Sequence, residues 1–178
     1  MTKTEKKMKR EKIIGEIIAF FDDANSENTA AAALQAVIKS VPDLEIKDAA
    51  QYIDFMKQQG WLIDIAQYHE KESLWVSKAG YAFQRSSGAV KGKGVHTRRK
   101  VICGLLCYID DTKNKIELQD VKKLFASMGA ETFMPTIEGY FSYLKKENLI
   151  WENRKKANYP QNAWVSAQGY EFLQMARE

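Results

Sequence analysis

The sequence predicts a mainly α-helical fold with small β-hairpins, of the α+β class, built as two tandem copies of one unit related by internal duplication. Three observations carry this. The stretch LWVSKAGYAFQ (74–84) returns as AWVSAQGYEFLQ (163–174). KIIGEIIAFFDD (12–23) returns 88 positions later as KVICGLLCYIDD (100–111), apolar for apolar, and at the same offset YIDFMKQQGWLI (52–63) falls on YFSYLKKENLIW (140–151). Finally, the apolar period changes from helical to strand-like at the same place in both copies.

In the first helix, Ile14, Ile17, Ile18 and Phe21 recur at helical spacing, as do Ile102, Leu105, Leu106 and Ile109 in the second copy. Asn28 or Thr29 is placed to cap a second helix carrying Leu34, Val37, Ile38 and Val41, which Pro42 stops. Its counterpart carries Val121, Leu124, Phe125 and Met128 and ends at Gly129. A third helix turns Ala49, Tyr52, Ile53 and Met56 inward, matched by Ile137, Phe141 and Leu144, and stops at Gly60 or Asn148. Residues 61–68 and 73–77 then have strand composition around a polar turn, as do 149–153 and 163–166 around a basic one. Ser77 and Ser166 stand where a residue caps a short closing helix.

Three helices, a hairpin and a closing helix, with QQGWLI or KENLIW leading through the hairpin to WVSxxGY, resemble the ending of winged helix-turn-helix regulators. The resemblance covers both copies and implies two tandem winged-helix domains. The expected layout is a basic N-terminal arm (1–11), a first repeat (12–84), a flexible basic linker (85–98) and a second repeat (99–178). It also implies that a third helix enters the major groove of DNA through its N-terminal half while the hairpin touches backbone. Tandem winged-helix subunits also serve as protein scaffolds, as in the endosomal sorting complex and in partners of kleisin assemblies, so a scaffold is the alternative.

Charge divides the copies. The net charge of +4 comprises +4 in residues 1–12, +6 in 84–100, −6 in 13–83 and zero in 101–178. A cationic Gly/Ser-bearing linker binds polyanions by releasing counterions. Phosphate contact is therefore expected from Lys91, Lys93, Arg98, Arg99 and Lys100 in and beside the linker. The second repeat is expected to add Lys122, Lys123, Thr132, Thr136, Lys145, Lys146 and the hairpin cluster Arg154, Lys155 and Lys156. The first repeat offers Lys47, Asp48 and Gln51 on an acidic body, with Glu70 and Glu72 in its hairpin, and suits a protein partner or homodimer better. Neither third helix carries the Arg/Asn/Gln array that reads base edges.

Other chemistry finds little footing. Cys103 and Cys107 align with Gly15 and Ala19 and read as small buried packing residues. Asp22–Asp23 and Asp110–Asp111 point about 100° apart on a helix, which suits a helix end better than one metal ion. His69 and His96 have no nucleophile or carboxylate array at a recognised spacing, and Gly88, Gly92 and Gly94 form no phosphate loop. The repeated aromatics Tyr52, Tyr140, Trp75 and Trp164 read as core. Neither an enzyme nor a cofactor nor a small-molecule substrate is expected. No signal peptide or membrane span is visible, so the expected location is cytoplasmic.

Overall fold

The computed structural model describes residues 1–66, 71–87, 96–154 and 159–176. The chain divides into two compact units, Met1–Val95 and His96–Glu178. In the first, α1 (Lys3–Asp22), α2 (Ala30–Ser40) and α3 (Ile46–Gln58) precede β1 (Leu62–Asp64), β2 (Leu74–Val76) and α4 (Lys78–Ser87). In the second, α5 (Arg98–Asp111), α6 (Leu118–Ser127) and α7 (Met134–Lys146) precede β3 (Ile150–Asn153), β4 (Asn162–Val165) and α8 (Ala167–Ala176). The described residues are thus mainly helical, with two small antiparallel hairpins.

Helical apolar stripes build each core. Ile13, Ile14, Ile17, Ile18 and Phe21 of α1 are buried with Ala33, Val37, Ala49, Ile53 and Met56. Val101, Ile102, Leu105, Leu106 and Ile109 of α5 are buried in the second unit with Val121, Phe125, Ile137, Phe141 and Leu144. Each such aliphatic side chain contributes on the order of 2 kcal/mol on leaving water. Local chemistry sets the helix ends. Thr29 Oγ1 accepts from the Ala32 amide at 3.2 Å, which selects Thr29 over Asn28 as the α2 cap. After α3 and α7, Gly60 (φ 72°) and Asn148 (φ 55°) take left-handed backbone. Trp61 N–H then reaches back to Met56 O, and Leu149 N–H to Leu144 O.

The repeated WVSxxGY stretch performs the same task in both units. Ser77 Oγ donates to Gly60 O and accepts from the Gly80 amide at 3.0 Å. Ser166 Oγ likewise donates to Asn148 O and accepts from the Gly169 amide at 3.1 Å. One hydroxyl thereby ties the end of the third helix to the first turn of the closing helix. The glycine is required because a Cβ there would overlap the carbonyl oxygen of Trp61 or of Leu149. The tyrosine then returns to the first helix. Tyr81 Oη donates to Asp22 Oδ1 and Tyr170 Oη to Asp110 Oδ1, each at 2.6 Å.

The sheets are small because each strand is short. In the first hairpin Ile63 faces Trp75; in the second, Trp151 faces Trp164 and Asn153 faces Asn162. The segment between α5 and α6 adds a third edge. Lys115 bridges antiparallel to Asn162, Ile116 N–H donates to Gln161 O at 2.9 Å and Ala163 N–H to Asn114 O at 3.0 Å. In the first unit only Leu74 N–H to Asn28 O, at 2.7 Å, makes the corresponding tie among the described residues.

Several expectations need correction. Residues 3–11, expected as an arm, are the first half of the 20-residue α1, started by a Thr2–Glu5 capping box. The linker is shorter than 85–98 at both ends, since α4 reaches Ser87 and α5 starts at Arg98. Cys103 and Cys107 are half-buried rather than fully enclosed. No helix of the described residues is long and apolar enough to cross a membrane.

Candidate nucleic-acid interface

Thr97 starts α5, its Oγ1 accepting from the Lys100 amide at 3.3 Å. That turn places Arg98, Arg99 and Lys100 at the positive end of the helix macrodipole, and the turn itself holds no acidic residue. Arg98 does not present its guanidinium to solvent. It is only 4% exposed, so its expected role in phosphate contact gives way to one inside the fold. Arg99 is half-buried and Lys100 is exposed.

The third helix of the second unit, α7, begins after Phe133, with Pro135 in its first turn, where a missing N–H costs nothing. Thr132 and Phe133 are exposed at this entrance, and Thr136 is half-buried, its Oγ1 donating to Glu131 Oε2 at 3.4 Å. On α6, Lys123 is exposed and Lys122 half-buried. At the other end of α7, Lys145 and Lys146 are exposed beside the C-terminal carbonyls, which the helix dipole favours. Lys145 Nζ lies 3.4 Å from Glu152 Oε1, and Arg154 Nη2 lies 3.0 Å from Glu152 Oε2. The structure thus gathers two of the expected cations around one inward carboxylate, and Arg154, half-buried there, is committed to that pair. Lys91, Lys93, Lys155 and Lys156 lie outside the described residues.

The corresponding ground in the first unit is differently made. The N-terminal half of α1 runs past α3, with Arg10 held over the Phe55 ring at 4.8 Å from its centroid. Between them lies a cleft of about 530 Å³, with Lys6, Lys9 and Arg10 on the α1 side and Asp43, Asp48, Gln51 and Tyr52 on the other. Of the two hairpin glutamates, Glu70 lies outside the described residues and Glu72 is paired within the unit. Glu72 accepts from the Ala30 amide at 2.9 Å and from Lys57 Nζ at 2.7 Å. Burial works to raise the Glu72 carboxyl, but the Lys57 hydrogen bond, the Ala30 amide and the Lys57 charge outweigh it and leave the group below its ordinary value.

Aromatic placement departs from expectation. Trp75 is core at 4% exposure, Tyr140 is buried and Tyr52 half-buried, but Trp164 is 43% exposed and its partner Trp151 70% exposed. The signal was present in IWEN, where Ile150 faces inward and a period of two turns Trp151 outward. Position-for-position matching with Trp75 hid it for Trp164. Asn114, with its carboxamide oriented to satisfy both ends, accepts from Trp164 Nε1 at 2.9 Å and donates to Ala163 O at 3.2 Å. This fixes the indole while leaving its face open.

Among the described residues, no group of three or more His, Cys, Asp or Glu side chains is placed to hold a metal ion. Comparison with protein-family models, with curated proteins and with solved structures finds no match.

Proposed function

We propose that this chain is a non-enzymatic tandem winged-helix protein, formed by duplication, that binds duplex DNA chiefly through its second repeat. It would act as a transcriptional regulator or as a replication or segregation accessory factor. The carrying observation is the contrast between the two third helices. Both entrances are exposed, but the first turn of α7 carries no acidic residue, whereas that of α3 carries Asp48, which lines a cleft with Lys6, Lys9 and Arg10 of its own α1. On this reading α7 lies along the groove, Lys100, Lys123 and Lys146 meet phosphates, and the second wing tracks the backbone. Fluorescence anisotropy with random-sequence duplex at low salt is the test. Binding should weaken linearly in log affinity against log salt, and no binding below about 100 μM overturns the reading.

The α1–α3 cleft favours a second reading for the first repeat. Its cationic and acidic walls, with exposed Ile46 nearby in sequence, suit a protein segment bearing both charges better than a polyanion. The scaffold alternative rests on this feature. A stable complex captured through the first repeat, abolished by Arg10→Glu and untouched by DNA, would establish it.

A further inference from the structure

Packing alone does not account for the two cysteines of the chain. Cys103 and Cys107 lie one turn apart on α5, form no disulfide and are half-buried, so neither residue is sealed in the core. Residues four apart on a helix share a face, with Cβ atoms about 5–6 Å from each other. A third sulfur joins them from the neighbouring helix. Met128, the C-cap of α6, lays its thioether over Gly104, where a Cβ would stand 2.7 Å from Met128 Sδ. Gly104 follows Cys103 directly and shares the next turn with Cys107, so the half-buried Met128 holds its sulfur beside the surface that both thiols occupy.

The duplication supplies an internal control. At the offset of 88 the three sulfur residues align with Gly15, Ala19 and Ser40, and Gly104 aligns with Glu16. A fold shared by both copies therefore does not need these side chains, yet the second copy has all three, with a glycine that makes room for the thioether. Thiolate and thioether sulfurs are soft donors and select Cu(I) among the biological metals. Two-coordinate binding needs the thiolate sulfurs about 4.6 Å apart, taking each metal–sulfur bond as about 2.3 Å. Thiols one helical turn apart span that distance within their rotamers, and unbranched Met128 adapts as a third donor. Among the described residues no three His, Cys, Asp or Glu side chains converge, so an ion that demands four such ligands is not served here.

We infer that Cys103, Cys107 and Met128 form a site for one Cu(I) ion where α5 meets the end of α6. Binding makes two copper–thiolate bonds, releases two thiol protons to solvent and leaves the oxidation state of copper unchanged. The bound bis-thiolate carries one negative charge, and Arg99 and Lys100 stand one turn before Cys103 on the same helix. Copper binding of this kind holds whether or not the chain binds DNA.

The test titrates the reduced full chain, kept free of oxygen, with Cu(I) held by bicinchoninate. It reads the loss of the coloured competitor complex and the rise of near-ultraviolet thiolate-to-copper absorption. The wild type should withdraw one Cu(I) per chain, and the Cys103→Ser/Cys107→Ser double variant should withdraw none at the same competitor concentration. Met128→Leu should still take one ion but surrender it at a lower bicinchoninate concentration. Zn(II) should not displace the bound copper. Circular dichroism checks that the variants fold, and the first copy already accepts Gly and Ala at the two cysteine positions. No withdrawal by the wild type, or full withdrawal by the double variant, overturns the site. So does one ion per two chains with a dimer in sedimentation, which would put the copper between copies. A Met128→Leu variant that competes as the wild type does overturns the three-sulfur set.

Discussion

The two tyrosine–aspartate ties permit a comparison within one chain, because their chemistry and their 2.6 Å length are the same and their surroundings are not. Tyr81 and Asp22 are buried at 4% and 1% exposure, whereas Tyr170 is 49% exposed. Replacing Tyr81 by Phe removes only the hydroxyl, so packing is kept and the Asp22 oxygen loses a donor where water cannot replace it. A hydrogen bond to a carboxylate contributes about 1.5–3 kcal/mol, and a central loss of about 2 kcal/mol is expected for Tyr81→Phe. Tyr170→Phe should do almost nothing, since water takes over the donor's role at Asp110. Hydrogen exchange resolved by peptide reads the two units separately in the intact chain. Amides of α1 and α4 should exchange about 30-fold faster in Tyr81→Phe, at 1.36 kcal/mol per decade, while those of α5 and α8 in Tyr170→Phe should stay within about twofold. Equal acceleration in the two variants, or a larger one for Tyr170→Phe, would refute the argument that burial sets the value of this tie. An independent sign is the Tyr170 phenol itself: its hydrogen bond to Asp110 holds its titration above the ordinary value of 10.0, and Asp110→Asn should bring it down.

Three further outcomes follow from the same geometry. Gly169→Ala places a Cβ against the Leu149 carbonyl oxygen, so a loss of about 2 kcal/mol or more in urea unfolding is expected, against about 1 kcal/mol for Gly60→Ala, whose site is open but left-handed. Glu72→Gln should cost about 0.5–1 kcal/mol at neutral pH, the ion pair being partly exposed. Because the folded carboxyl lies below its ordinary value of 4.5, that contribution is full above 4.5 and disappears as pH falls through the folded value, so wild-type and variant stabilities should converge in acid. Lys100→Gln should weaken duplex binding and lower the slope of log affinity against log salt by about 0.9.

Much of the architecture could be read before any coordinates because it depends on local rules. Apolar spacing placed the helix stripes through Ile17, Ile53, Leu105 and Phe141, and left-handed backbone at Gly60 and Asn148 follows from residues that tolerate it. The surface was less legible. Arg98 belongs to a basic run, yet the first turn of α5 rotates successive side chains by about 100° and takes this one inward. Lys145 and Arg154 count as free positive charge in sequence, and only folding reveals that both converge on Glu152 from different elements. Trp164 reads as core from its match with Trp75, yet it is exposed, because two units that keep the same pattern of hydrogen bonds can still expose different faces. Residues 3–11 read as an arm because their charge hides a helix that starts at Thr2 and Glu5.

The two units differ in where each has placed a small surplus of sequence. The first unit begins its leading helix at Lys3, 20 residues long, whereas α5 has 14. Those extra turns set three cations against Asp43 and Asp48 across the cleft, so the positive charge of the N-terminus faces acid within its own unit. In the second unit α5 begins at Arg98, and the described residues leave Lys100, Lys123 and Lys146 exposed and two indoles uncovered. Net charge alone would rank the N-terminal segment among the strongest polyanion ligands of the chain; the geometry ranks it lower, because a phosphate approaching Lys6 or Lys9 also approaches Asp48. Deleting residues 1–9 should therefore leave duplex affinity within about threefold of the intact chain at 0.15 M salt, where charges beyond about 8 Å are screened. A loss of tenfold or more would show that the helix, not the second repeat, holds the DNA.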